Sequence, residues 1–375
     1  MIVRASRRDR FAIAVLLAGA LITAPRASRA DDAPAVPWYQ ALTVNGFVSA
    51  SYGVNLERPR YFGNQFRVFD FDQRSFNLDV AELVVQKAAT RPRETGFRID
   101  ADLGGSVPRV ADNAPVALRQ AFTTWIAPVG SGLRFDAGKF ITPFGYEVIE
   151  GCDNWNDEAT RSLLFGFAIP FTHTGVRAGY TFSPRVSALL LLVNGWDVVR
   201  DNNHTPSGGA QITITPAPPV SVVFTGMIGP EYARDDGDKR TLGEVVATWK
   251  VTSALSLGVN GDLARERAPS YFFFPPFIVT SEARWRGAAA YARFAPSGPW
   301  ALSLRGESFD DKDGSRTGAP QSINEITVTP EVRLSSAMVL RADLRMDHST
   351  IAAFETHGGF RNRQRTILVN ALYHF

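Results

Sequence analysis

The chain has 375 residues, 45% of them hydrophobic and 21% charged, with one cysteine and a formal net charge of +3. That basic balance is local, because setting aside the first thirty residues removes six arginines and one acid and leaves 34 basic against 36 acidic side chains, a net of −2. No clustered basic face of the kind nucleic acid needs remains, and the lone Cys152 excludes an intramolecular disulfide and lies too far along for a lipoprotein anchor.

Residues 1–30 read as a cleaved export signal. Arg4, Arg7, Arg8 and Arg10 form the basic region, 11–24 is apolar, and Ser28-Arg29-Ala30 is a small-x-small cleavage site. Its fourteen apolar residues are too few to span a bilayer as a helix. Residues 31–41 follow as a periplasmic linker. Beyond it the longest apolar run, 188–193, has six residues, against the roughly 18 of a transmembrane helix.

From residue 42 the pattern is one of strands. The first spans 42–55 and leads into a long connection carrying Tyr61, Phe62, Phe66, Phe69 and Phe71. The second, 75–87, slips its alternation near Ala81 and Glu82, which predicts a bulge. In the third, 95–104, Phe97, Ile99, Ala101 and Leu103 oppose Arg98, Asp100 and Asp102. A link through Pro108 and Pro115 precedes 119–126, and a Val-Gly-Ser-Gly turn precedes 133–140. After a long segment at 141–169 come 171–182, 186–194, 209–215, 220–228, 240–251, 255–266, 281–295, 300–309 and 323–334. The stretch 339–347 then sets Leu340, Ala342, Leu344 and Met346 against Arg341, Asp343, Arg345 and Asp347. The last strand, 365–375, puts Ile367, Val369, Ala371, Tyr373 and Phe375 on one face.

These sixteen strands are separated by tight turns after even members and long loops after odd ones. That rhythm predicts an all-β fold: a transmembrane antiparallel up-and-down barrel filling 42–375, with both termini periplasmic and the long loops outside. About 10 residues tilted by about 45° cross the hydrocarbon core, which matches the strand lengths. The terminal aromatic strand, with Tyr373 and Phe375, resembles the signal read by outer-membrane barrel assembly machinery. The expected partners are outer-membrane lipid, that machinery and small hydrophilic solutes or ions. A homo-oligomer is compatible with the pattern.

Residues 141–169 are the longest excursion. Lys139-Phe140 with Thr142-Pro143-Phe144-Gly145, then Arg161-Ser162-Leu163-Leu164-Phe165-Gly166, then Pro170-Phe171-Thr172-His173-Thr174-Gly175-Val176-Arg177, resemble the OmpL-like beta-barrel outer-membrane porins. The similarity is sharp over about forty residues and elsewhere is one of barrel patterning. It implies a porin and brings no substrate with it. Read from its residues alone, the segment carries Glu147, Glu150, Asp153, Asp157 and Glu158 against Arg161. One expectation is that it folds into the lumen as a constriction, with its acids setting a cation preference; the other is a solvated loop on the rim.

Polar-face residues Arg98, Asp100, Asp102, Arg177, Arg305, Glu307, Glu325, Glu331, Arg333, Arg341, Asp343, Arg345 and Asp347 are expected to line the lumen, mostly as mutually paired wall charges that keep it wet. The sequence contains no nucleophile elbow, phosphate loop, dinucleotide fingerprint or zinc motif, so no catalytic residue, cofactor or metal is assigned. His173, between Thr172 and Thr174, is read as a hydrogen-bonding wall or loop residue in preference to a hydrolase base. The acids at 153–158 lack the spacing of a calcium loop. The expected function is passive diffusion of small hydrophilic solutes or ions. The rival is a binding or adhesion barrel with a closed lumen, presenting aromatic loops at 61–71 and 271–277.

Overall fold

A computed structural model describes residues 37–107, 116–267 and 282–375. Residues Trp38–Ala41 form a 3-10 turn. The strands are β1 Thr43–Asn55, β2 Phe76–Lys87, β3 Thr95–Leu103, β4 Val116–Ala127, β5 Leu133–Ile141, β6 Thr172–Ser183, β7 Val186–Val193, β8 Ser207–Ala217, β9 Val220–Pro230, β10 Lys239–Lys250, β11 Leu255–Arg267, β12 Glu282–Phe294, β13 Trp300–Asp311, β14 Gln321–Arg333, β15 Met338–Ser349, β16 Phe354–Thr356, β17 Gly359–Arg361 and β18 Arg363–His374. Each of β1–β15 pairs antiparallel with its neighbours, and β18 pairs with both β15 and β1, so sixteen strands close into a barrel. The short hairpin β16–β17 stands apart within the last long connection and was not foreseen from the sequence.

The two faces of the wall are inverted relative to a water-soluble protein. On β13 Leu302 and Leu304 are 48% and 44% exposed, whereas Ser303 and Arg305 between and beyond them are 1% and 0% exposed. The same holds on β15, where Leu344 and Met346 face out while Arg341, Asp343, Arg345 and Asp347 are buried. Such an arrangement is stable only where the outside is hydrocarbon. Closure then removes the unpaired edges that lipid does not tolerate.

Four register shifts interrupt the described wall, and two of them are bulges that bear on its inside. Between Ser49↔Val80 and Ala50↔Leu78 the extra residue is Asp79, so the predicted bulge lies two residues before Ala81. Between Asp100↔Gln120 and Ala101↔Leu118 the extra residue is Arg119. A bulge lets two consecutive side chains share one face. Both here add a charged side chain to the inside: Asp79 accepts from Ser51 at 2.7 Å and Ser49 at 3.2 Å, and Arg119 is 5% exposed.

At the seam, Phe375 and Gly46 exchange backbone hydrogen bonds at 3.0 Å. A Cβ on Gly46 would lie 2.3 Å from the Phe375 ring, so any side chain there would have to displace that exposed ring. Long and short connections alternate throughout, as the sequence rhythm predicts. The export signal, the 108–115 link, Ser281 and the 271–277 aromatics lie outside the described residues.

Candidate functional site

Residues 142–171 do not stay on the rim. They run along the inner face of the barrel, and the wall supplies the hydrogen bonds that irregular backbone inside a membrane-spanning fold must find. Gly145, at φ +104°, turns the chain inward, and its N–H donates to Glu244 on β10 at 2.7 Å. Gln211 on β8 donates to the Pro143 carbonyl at 2.8 Å. Tyr146 stacks on Tyr291 of β12 with centroids 3.9 Å apart, over Gly258 of β11, where a Cβ would come within 2.3 Å of its ring.

Deeper in the segment, charge takes over. Glu147 receives Arg305 Nη1 at 2.7 Å through one oxygen, and through the other the Ser162 N–H at 2.8 Å and hydroxyl at 2.9 Å, tying both legs of the segment together. Arg305 also grips Glu325 at 3.0 Å and donates to the Thr160 carbonyl at 2.8 Å. Asp343 accepts from the N–H groups of Ala159 at 3.1 Å and Thr160 at 2.7 Å. Glu307 accepts from Leu163 at 2.6 Å and Leu164 at 3.2 Å, where the π-helical turn Leu164–Ala168 begins. Glu150 pairs with Arg341 at 2.7 Å and Arg161 at 3.1 Å. On the opposite wall, Arg119 donates to the Glu150 carbonyl at 2.7 Å and pairs with Glu82, which receives the Cys152 N–H at 2.6 Å. Arginines thus meet carbonyls and carboxylates meet N–H groups.

The acids of the segment do not act alike. Burial pushes the Glu150 carboxyl up, but Arg161 and Arg341 outweigh it and hold the group below the usual range. Asp157 is raised by burial despite Arg293 at 3.1 Å. Glu158 is pushed up to about 8, mainly by burial and then by Glu147, Asp157 and Asp343. Asp153 pairs with Arg98 at 2.5 Å.

Toward the long-loop end the lumen holds an apolar layer. Phe69 and Phe171 lie 5.8 Å apart, Phe165 and Phe171 5.5 Å, and Phe66 meets Phe354 at 5.4 Å. Leu163, Leu164, Phe309 and Ile323 are buried with them. Trp196 and Trp285 contact edge to face at 6.3 Å, and the Arg240 and Arg316 guanidiniums lie over their rings. Toward the short turns a cavity of about 300 Å3 remains, lined by Arg98, Arg134, Arg177 and Asp153 among others.

The family described as "Putative beta-barrel porin-2, OmpL-like" matches residues 41–375. The chain belongs to this porin family. No protein of curated function matches it. Among solved structures it is similar to the outer membrane channel DcaP of Acinetobacter baumannii, with a TM-score of 0.61 at 13% identity over 89% of this chain and 97% of that one. It is also similar to OmpT, an outer membrane protein of Vibrio cholerae, in its trimer form, with a TM-score of 0.58 at 11% identity over 89% and 99%. A Rhodopseudomonas blastica porin gives 0.53 at 12% over 89% and 100%. At such identities these likenesses concern the fold.

Within this porin the family-motif residues are structural neighbours. Thr142 Oγ1 lies 3.2 Å from His173 Nε2, and His173 Nδ1 lies 2.9 Å from the Gly195 carbonyl, the wall role expected for that histidine. Phe144, whose N–H donates to Thr142 at 3.3 Å, and Phe171 and Thr172 are buried nearby, whereas Arg161 and Ser162 are buried apart from this pair, against Glu150 and Glu147. Pro170 and Thr174 flank 171–173 in the chain, and a Cβ at Gly175 would meet the Leu192 carbonyl at 2.3 Å. Of the expected lining residues, Arg305, Glu307, Glu325, Arg341, Asp343, Arg345 and Asp347 form one network with the segment, while Glu331 pairs with Arg293 at 2.7 Å. Arg98 with Asp100, Asp102 with Arg119, and Arg177 with Asp136 lie on the other side of the lumen. Arg333 departs from expectation: it ends its strand exposed at the short-turn rim. Glu82, Arg119, Glu244 and Arg67, which pairs with Asp347 at 2.5 Å, were missed. The slipped alternation at the second strand was the available signal for Glu82.

Proposed function

We propose that this chain is an outer-membrane porin through which small hydrophilic solutes or ions diffuse passively, with 142–171 as its constriction. The observation that carries the reading is the docking of that segment across the inside of a closed sixteen-strand barrel, from Glu244 and Gln211 to Arg305, Asp343 and Arg341. Barrels of this size enclose an aqueous channel unless something fills it. The proposal includes cleavage after residue 30, periplasmic termini, the Tyr373 and Phe375 strand as assembly signal, and a homo-oligomer such as the trimer form of its Vibrio cholerae neighbour. Ion preference is not set by the bare acid count of the segment. Glu147, Glu150, Asp153 and Asp157 each face an arginine, which cancels most of their field.

A second reading, a binding barrel with a closed lumen, draws on the buried Phe and Trp layer and on Tyr61 and Phe62, which are 84% and 53% exposed. Single-channel recording of the refolded mature chain in a planar bilayer decides between them. Stable conductance steps that grow when 147–158 are deleted support the porin. A silent, folded barrel that opens only on that deletion supports the closed form.

A further inference from the structure

The outside of the wall is asymmetric in a way the transport reading does not use. At the short-turn end its exposed large residues include Trp249, Phe294 and Trp300. Moving up β11 from Leu255, which faces Phe294, the outward positions are Leu257, Val259, Gly261 and Leu263, and then Arg265. Ten residues of strand at about 3.3 Å each and a tilt of about 40° correspond to about 25 Å of height, the thickness of a barrel's apolar band. Arg265 therefore sits where hydrocarbon gives way to headgroups.

Directly opposite Arg265 in the ladder is Arg284, also facing out. Like charges in register repel, and more so beside a low-dielectric phase. Glu282 answers Arg284 and Asp310 answers Arg286, each at 3.2 Å, and Arg284 N–H donates to Asp313 at 2.9 Å. Even so, the surface depression here, about 570 Å3, is lined among the described residues by Arg265, Arg284, Arg286 and Lys312 against Glu282 and Asp310. Below it a larger groove runs over small outward residues, Gly226, Gly243, Gly261, Ala288 and Ser308, between the taller Phe224, Val245 and Leu263.

We infer that this face binds a phosphorylated lipid of the leaflet at the long-loop end, its phosphate between Arg265 and Arg284 and an acyl chain along the glycine-floored groove. The occupant is a membrane lipid and not free phosphate because cations and apolar floor are continuous, at the height where headgroup and chain meet. The inference rests on the membrane-spanning reading and on the long loops facing outward, and is independent of whether the lumen conducts.

The test uses the mature chain folded in detergent, with diphosphoryl lipid A as the probe and native mass spectrometry as the readout. Each basic contact to an anionic lipid surface is worth about fivefold in affinity, so Arg265→Gln with Arg284→Gln should weaken binding about 25-fold. Arg265→Lys should retain most of it. Fully dephosphorylated lipid A should bind the wild type about as weakly as diphosphoryl lipid A binds the double variant. Heat-modifiable migration confirms that each variant is folded. Equal binding by the double variant or by the dephosphorylated lipid overturns the inference. So does displacement of the lipid by millimolar inorganic phosphate, which would mark an anion site and not a lipid site.

Discussion

The wall formed by β13–β15 and the wall formed by β8–β11 hold the same inward segment by different means. The first presents Arg305, Glu307, Arg341, Asp343 and Arg345, all 6% exposed or less, and meets the segment with charge-assisted hydrogen bonds. The second offers one amide from Gln211, one carboxylate from Glu244 and the open space above Gly258. Charged hydrogen bonds away from water are stronger, and removing one partner leaves a buried charge uncompensated. Of these two walls, β13–β15 therefore anchors the segment by charge, as β2–β4 does through Arg119, Glu82 and Arg98, while β8–β11 holds it least.

The largest effect should come from Arg305→Ala, which leaves Glu147 and Glu325 without their shared cation at a cost of about 3–5 kcal/mol. The segment should undock while the barrel persists. Larger single-channel steps and new protease cuts within 147–161, with heat-modifiable migration intact, are the expected signs. Unchanged conductance and no cleavage would remove the anchor from Arg305. Ile326→Arg is the control for the other face of the same sheet: at mid-height in lipid it should cost about 2–4 kcal/mol of barrel stability in vesicle-based urea unfolding. A cost near zero would mean that this face does not meet hydrocarbon.

Gly258→Val perturbs the weaker wall. Its side chain meets Tyr146, so overpacking of about 1–3 kcal/mol should push that ring off Tyr291 and alter conductance less than Arg305→Ala does. An effect as large as that of Arg305→Ala would put the two walls on equal terms.

The smallest effect is that of pH. Glu158 is held near 8 from an ordinary value of 4.5, so the docked segment favours its protonated form. Its contribution to docking is full below about 4.5, declines as pH rises and is lost above about 8. Conductance should rise modestly between pH 5 and 9 in the wild type and stay flat in Glu158→Gln. A fall with pH would reverse the sign and exclude Glu158 as the cause.

Most of the wall was legible because a period of two leaves its mark on every strand: Arg341, Asp343, Arg345 and Asp347 could be placed inside from spacing alone. What spacing does not convey is partnership. Glu147 and Arg305 are 158 positions apart, and only the closed ring brings them together. Arg119 was hidden for a different reason. As the extra residue of a bulge it breaks the alternation that would have placed it inside, while its neighbour Gln120 also points inward. The apolar layer was obscured because Leu163, Leu164 and Phe165 in an irregular segment look like any loop hydrophobics until Trp285, Phe309 and Ile323 from three strands close over them.

The seam between β1 and β18 sets the order in which the molecule can be made. Phe47 pairs with His374, and Gly46 clasps Phe375, so the first strand waits for β18, more than 300 positions later. A contact spanning so much sequence is slow to find, because the entropy of joining distant ends is lost before any bond rewards it. Until the last strand arrives, β1 and whichever strand is newest remain unpaired edges. Cylinder formation thus depends on β18, and a chain lacking that strand would remain an open sheet with two sticky margins.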